Sequence, residues 1–131
     1  MVTKRVLRPE RRRRVPKHFS WIDHRLVRDR HLERLGTDAA ALYLFLLTVA
    51  DADGVSFYAD ASIAARVALD EPRVHHARER LMRAELVAFE PPLYQVLELP
   101  SSPSVHHDER RDAGGLRAIA DIIRDLGASS R

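Results

Sequence analysis

The sequence predicts a mainly α fold carrying a small antiparallel β element, that is, an α+β domain. Three observations predict it. Apolar residues recur at helical spacing between Asp23 and Leu35 and again between Asp70 and Ala84. Short strand-like runs, Val55 to Phe57, Leu86 to Phe89 and Leu93 to Leu99, are separated from their neighbours by turn residues. From Thr37 to Leu99 the predicted order is helix, strand, helix, helix, strand, strand.

Taken from the N-terminus, residues 1–17 read as a flexible basic arm. Arg11, Arg12, Arg13 and Arg14 form a like-charge run bracketed by Pro9 and Pro16, with little apolar surface to bury. Phe19, Trp21 and Ile22 supply the first apolar anchor. A helix is predicted from Asp23, with Ile22, Leu26, Leu32 and Leu35 roughly on one face and Gly36 as its stop. Arg25, Arg28, Arg30 and Arg34 fall mostly on the other face. Thr37 or Asp38 is placed to cap the next helix, which runs to about Asp51 and is apolar on nearly every side, as a buried central helix would be.

Asp51 to Gly54 reads as a turn, and Val55 to Phe57 as a strand. Asp60 or Ser62 starts a helix ending near Ala68. Asp70 caps a longer one with Pro72 in its first turn, reaching about Ala84. Leu86–Phe89 and Leu93–Leu99 then form a hairpin about Pro91-Pro92. Residues 18–99 make one domain, 100–112 a Pro/Ser-rich linker. A C-terminal amphipathic helix is predicted over 113–127, with the stripe Leu116, Ile119, Ile122, Ile123 and Leu126.

Composition narrows the functional classes. Of the 131 residues, 45% are hydrophobic, enough for a core. The lack of cysteine excludes disulfides and thiolate metal sites, and fits a reducing cytoplasm. The basic N-terminus has no apolar segment behind it, so no signal peptide is expected. The longest apolar stretch, Ala39 to Ala50, is broken only by Thr48 and falls short of the roughly 20 residues that span a bilayer. No membrane association is expected.

The net charge of +3 is unevenly placed. Residues 1–34 carry twelve Lys and Arg against four Asp and Glu, whereas residues 35–99 carry five against ten. A polyanion partner is therefore expected of the arm rather than of the domain as a whole.

The stretch Ile63 to Val87, IAARVALDEPRVHHARERLMRAELV, carries the functional expectation. Ile63, Ala64 and Val67 turn one helix face inward, Leu69 plugs the turn, and Asp70 caps the second helix. Val74, Ala77 and Leu81 bury that helix's inner face, and Leu86 and Val87 lead into the hairpin.

This stretch resembles the winged helix-turn-helix domains of bacterial regulators such as the GntR and MarR families. It also resembles winged-helix domains of replication initiators from plasmids and phages. The GntR-like pattern L-A-x-x-L-G-V-S-x-x-x-V-x-x-A-L-x-x-L-x-x-x-G-L-I overlays Ile63 to Val87 without a gap. Three positions depart from it. Ala68 stands for the turn glycine, Arg78 for an apolar residue and Glu85 for the glycine before the wing. Glu85 either adopts a left-handed conformation or the turn differs, and a slight helix rotation would turn Arg78 outward.

The resemblance implies that the helix from Glu71 to Ala84 enters a DNA major groove. Arg73, His75, His76, Glu79, Arg80 and Arg83 would then face outward. Arg73, His76 and Arg80 are the expected contacts to bases or nearby phosphates, His75 lies alongside them, and Arg83 serves the backbone. The wing tip, Glu90-Pro91-Pro92, lacks Lys and Arg. The missing positive charge would come from Arg11 to Arg14, either entering a minor groove or acting as a solvated tail of non-specific affinity.

Other chemistry finds no support. Asp51-Ala52-Asp53-Gly54 is part of a calcium-loop pattern, but the remaining ligands are missing. His75, His76 and Glu79, and the run His106 to Glu109, lack zinc-ligand spacing. No phosphate-binding or nucleophile motif occurs, so no enzyme, cofactor or small-molecule ligand is expected. The expectation is a cytoplasmic bacterial DNA-binding regulator of double-stranded DNA. The alternatives are a replication or transposition accessory factor of a mobile element, and a winged-helix adaptor that binds protein instead. The C-terminal helix either docks on the domain's own N-terminal helix or, as favoured here, forms a homodimer that reads two half-sites.

Overall fold

A computed structural model describes residues 2–101 of the chain. The linker beyond Ser101, the helix expected over 113–127 and the run His106 to Glu109 lie outside the described residues. The architecture is α+β: among the described residues there are five α-helices and one three-stranded antiparallel sheet.

Residues 2–22 are exposed throughout and contain a single 3-10 turn, Pro9–Arg11. The helix expected from Asp23 is in fact two, α1 (Arg25–Arg28) and α2 (His31–Leu35). They are separated where Arg30 adopts a left-handed conformation, φ 64°. This break changes the buried set. Leu26 and Leu35 are buried as expected, but Ile22 and Leu32 are exposed and His31 is buried in their stead. A rotation at Arg30 breaks the 3.6-residue phase on which the expectation rested.

Helix α3 (Thr37–Val49) begins at Gly36. Neither Thr37 nor Asp38 caps it; Asp38 is committed to an ion pair with Arg73. Ala39, Leu42, Tyr43 and Leu46 face the core, while Leu44 on the far side is exposed, so α3 is central but not enclosed.

In the turn that follows, Asp51 Oδ1 accepts from the backbone N–H groups of Asp53 and Val55. Gly54 is at φ 86°, and a Cβ there would meet the Val96 carbonyl at 2.8 Å, so glycine is required. Strand β1 (Val55–Phe57), helix α4 (Asp60–Val67), helix α5 (Glu71–Arg83) and strands β2 (Val87–Glu90) and β3 (Leu93–Val96) then follow in the expected order. Strand β3 stops three residues short of Leu99. The sheet order is β1-β3-β2, with Phe57 opposite Leu93 and Glu90 opposite Leu93.

The core lies where α3, α4 and α5 cover the inner sheet face. Leu35, Leu42, Leu46, Ile63, Val74 and Leu81 are its largest aliphatic members, with Leu86, Val87 and Tyr94 from the sheet side. Each such side chain contributes about 1.5–3 kcal/mol on leaving water. Among the described residues no helix is long and apolar enough to cross a membrane.

Two of the three departures from the resembled pattern are explained by backbone geometry. Ala68 (φ 60°) and Glu85 (φ 61°) both occupy the left-handed region where the pattern has glycine. The third, Arg78, overturns its expectation. It does not face outward but is buried on the α5 face that meets α4 and the sheet.

Candidate nucleic-acid interface

Helix α5 is the element that would present the candidate residues, and its start is well defined. Asp70 Oδ1 accepts from the Arg73 backbone N–H at 2.9 Å, and Pro72 occupies the first turn, where a missing N–H costs nothing. Val74, Ala77, Arg78 and Leu81 face inward. At 100° per residue the opposite crest is Pro72, His76, Glu79 and Arg83. Arg73 and Arg80 lie on the flank toward α3, and His75 on the flank away from it.

Each candidate has a distinct environment. Arg73 is exposed, yet it is already engaged. It donates from Nε to Asp38 Oδ2 (2.9 Å) and from Nη2 to Asp38 Oδ1 (2.8 Å). The guanidinium holds the Asp38 carboxyl below its ordinary range. Arg73 thus clamps α5 to α3, with its Nε/Nη2 edge taken by Asp38 and Nη1 left as the edge a further partner can use.

Arg80 donates to the Arg34 backbone carbonyl at 3.3 Å. Its guanidinium packs over Gly36, where an added Cβ would come within 3.0 Å of it and where φ is 82°. His76 and Arg80 line a shallow hollow of about 310 Å³ against Leu35, Thr37, Asp38 and Ala39. His75, His76 and Arg83 are exposed and, among the described residues, have no side-chain hydrogen bond or ion pair. Glu79 sits on the same crest and dilutes its charge.

The tertiary structure adds one arginine that the sequence analysis put on an outward face without assigning it a contact. Arg34, at the end of α2, lies beside Arg80 because α2 and α3 meet α5 at this corner. Arg34 Nη2 also donates to the Asp29 carbonyl at 3.2 Å. Its nearness to α5 has no signature in sequence, since 46 positions separate the two arginines.

Arg78 supports the site from below. Nη1 donates to Asp60 Oδ1 (2.7 Å) and to the Tyr94 hydroxyl (2.8 Å), and the guanidinium lies 4.4 Å from the centroid of the Phe89 ring. Burial opposes its charge, but the bonds to Asp60 and Tyr94 outweigh that, and its pKa is raised. Burial pushes the Tyr94 hydroxyl up, although the Arg78 contact acts the other way. One guanidinium thereby joins α5, α4, β2 and β3.

Arg11, Arg12, Arg13 and Arg14 are exposed on the arm, where the ion pair formed is between Arg8 and Glu10. Glu90, Pro91 and Pro92 are exposed at the hairpin tip. Among the described residues no group of three or more His, Cys, Asp or Glu is placed to hold a metal ion, and His75, His76 and Glu79 form no such group. Comparison with known protein families, curated proteins and solved structures finds no match to this chain.

Proposed function

We propose that the chain is a winged helix-turn-helix protein that binds double-stranded DNA, with α5 as the helix entering the major groove. The observation that carries this reading is the two-sidedness of α5. Its apolar edge is buried in the domain, while His75, His76, Arg80 and Arg83 are exposed and Arg80 is anchored on the Arg34 carbonyl. Arginine forks match the guanine edge and phosphate oxygens, and histidine serves either as donor or acceptor.

The element order and the β1-β3-β2 sheet agree with this fold. Helices α4 and α5 form the helix-turn-helix, and β2 and β3 the wing. The wing tip carries Glu90 and no base, so the second source of positive charge is the arm through Arg11, Arg12, Arg13 and Arg14. The best-fitting role is a bacterial transcriptional regulator. A replication or transposition factor of a mobile element would use the same interface, and a map of bound genomic sites separates the two.

A protein-adaptor reading draws on one specific observation, the Asp38 carboxylate that occupies Arg73. Titration of a fluorescent duplex by the protein, read as anisotropy, decides between DNA and protein. The affinity for DNA falls steeply between about 50 and 200 mM salt if phosphates are neutralised, because counterions are released. Arg80→Ala and Arg83→Ala each weaken binding, and Arg80→Ala also relaxes sequence preference if it reads a base. Absence of binding at low salt, or salt-independent affinity, refutes the DNA reading and favours the adaptor.

A further inference from the structure

Away from α5, the domain has an apolar groove of about 630 Å³. Tyr43 and Leu47 of α3 line it together with Leu97 and Leu99, and Phe19 and Trp21 flank it. Phe19 and Trp21 are 65% and 75% exposed, a large apolar area for a small domain to leave in water. The acidic groups at the groove, Asp51, Asp53 and Glu98, outnumber Arg25, which is itself paired with Asp23.

We propose that this groove is the docking site for the chain's own C-terminal segment, residues 113–127. Three facts select that occupant. The described chain runs out along the groove itself, since Leu97, Glu98 and Leu99 line it and Ser101 is the last described residue. Treated as a coil, the connection from Ser101 to Leu116 reaches roughly 20 Å, enough to return to its own starting point. Leu116, Ile119, Ile122, Ile123 and Leu126 recur at the spacing that gives a helix one apolar edge.

The energetics favour the tethered arrangement. So short a helix is marginal alone and gains stability by laying its apolar edge into a groove. The tether raises the effective concentration to the order of millimolar, so a modest intrinsic affinity suffices.

Trp21 is the sole tryptophan of the chain and stands at the groove, so it reports occupancy directly. The experiment compares Trp21 emission and acrylamide quenching in the full chain with those in the full chain carrying Ile119→Asp and Ile122→Asp, without DNA. Docking predicts blue-shifted, weakly quenched emission in the parent and red-shifted, strongly quenched emission in the variant. A second variant, Leu116→Asp with Ile123→Asp, shifts in the same direction. Thermal melts of the variants that retain a cooperative transition establish that the domain still folds. Identical emission and quenching in parent and variants overturns the proposal. A blue shift that grows with protein concentration overturns it too, since the occupant is then the segment of a second copy.

Discussion

Arg78 is a charged side chain that the interior accepts because an acid, a hydroxyl and an aromatic face meet it. Asp60 takes its charge, the Tyr94 hydroxyl accepts a second bond, and the Phe89 ring covers its face. Removing the partner leaves a buried cation uncompensated, which costs far more than the pair itself contributes. Asp60→Ala is therefore expected to destabilise the domain by about 2 kcal/mol in urea denaturation, less than for a fully enclosed pair because Asp60 touches water. Arg78→Met, which removes the charge with the pair, is expected to cost less than Asp60→Ala. The opposite ranking would show that the pair, not the burial of charge, dominates. A second prediction concerns Asp23. The Arg25 guanidinium, and then the Arg25 backbone N–H, hold its carboxyl at about 2 instead of 3.8. A depressed acid stabilises the fold fully above its unfolded value and loses that contribution as pH falls through the folded one. The Asp23 contribution thus persists through pH 4 and disappears toward pH 2. Carboxyl NMR titration checks it; a midpoint near 3.8 would mean that the contact to Arg25 does not form.

Among the elements, α4 and α5 owe their crossing to a tight turn made without glycine. Ala68 and Glu85, two residues past the end of α5, both sit at positive φ, where a Cβ crowds the backbone. Glycine relieves that crowding but adds freedom to the unfolded chain, and the first effect is the larger. Ala68→Gly and Glu85→Gly are each expected to stabilise by about 0.5–1 kcal/mol, read as a raised thermal midpoint. A lowered midpoint would show that the turn is not strained. Helix α5 illustrates how far periodicity is legible. Val74, Ala77 and Leu81 are buried and Asp70 caps the helix, as the spacing of the sequence requires. Arg78 breaks the same pattern, because helical spacing assigns an angle and not a partner. The helix expected from Asp23 to Leu35 went astray for a different reason: a single left-handed residue, Arg30, resets the phase, and no glycine or proline marks it.

At the scale of the whole molecule the charge is divided between a basic arm and an acidic domain. On the proposed reading the arm supplies sequence-independent phosphate contacts and α5 the discrimination. Deleting residues 1–14 is expected to weaken binding to all duplexes by a similar factor and to flatten the dependence on salt. Unchanged affinity and slope would restrict the interface to α5 and its Arg34 corner. The corner itself is a tertiary product. Asp38 with Arg73 and the Arg34 carbonyl with Arg80 join residues 35 and 46 positions apart, the first tying α3 to α5 and the second α2 to α5.

The sequence by itself determined the order of the elements from Thr37 to Val96, the turn at Gly54, the cap at Asp70 and the apolar part of the inward edge of α5. These follow from local rules of backbone conformation and from the 3.6- and 2-residue periods of apolar side chains. The three-dimensional arrangement alone decided that Arg73 is tied to Asp38, that Arg34 stands beside Arg80, that Arg78 is buried among Asp60, Tyr94 and Phe89, and that Phe19 and Trp21 border an open groove. The physical reason is the same throughout. Local spacing fixes the direction a side chain takes from its own helix or strand, whereas what it meets there depends on packing between segments distant in the chain.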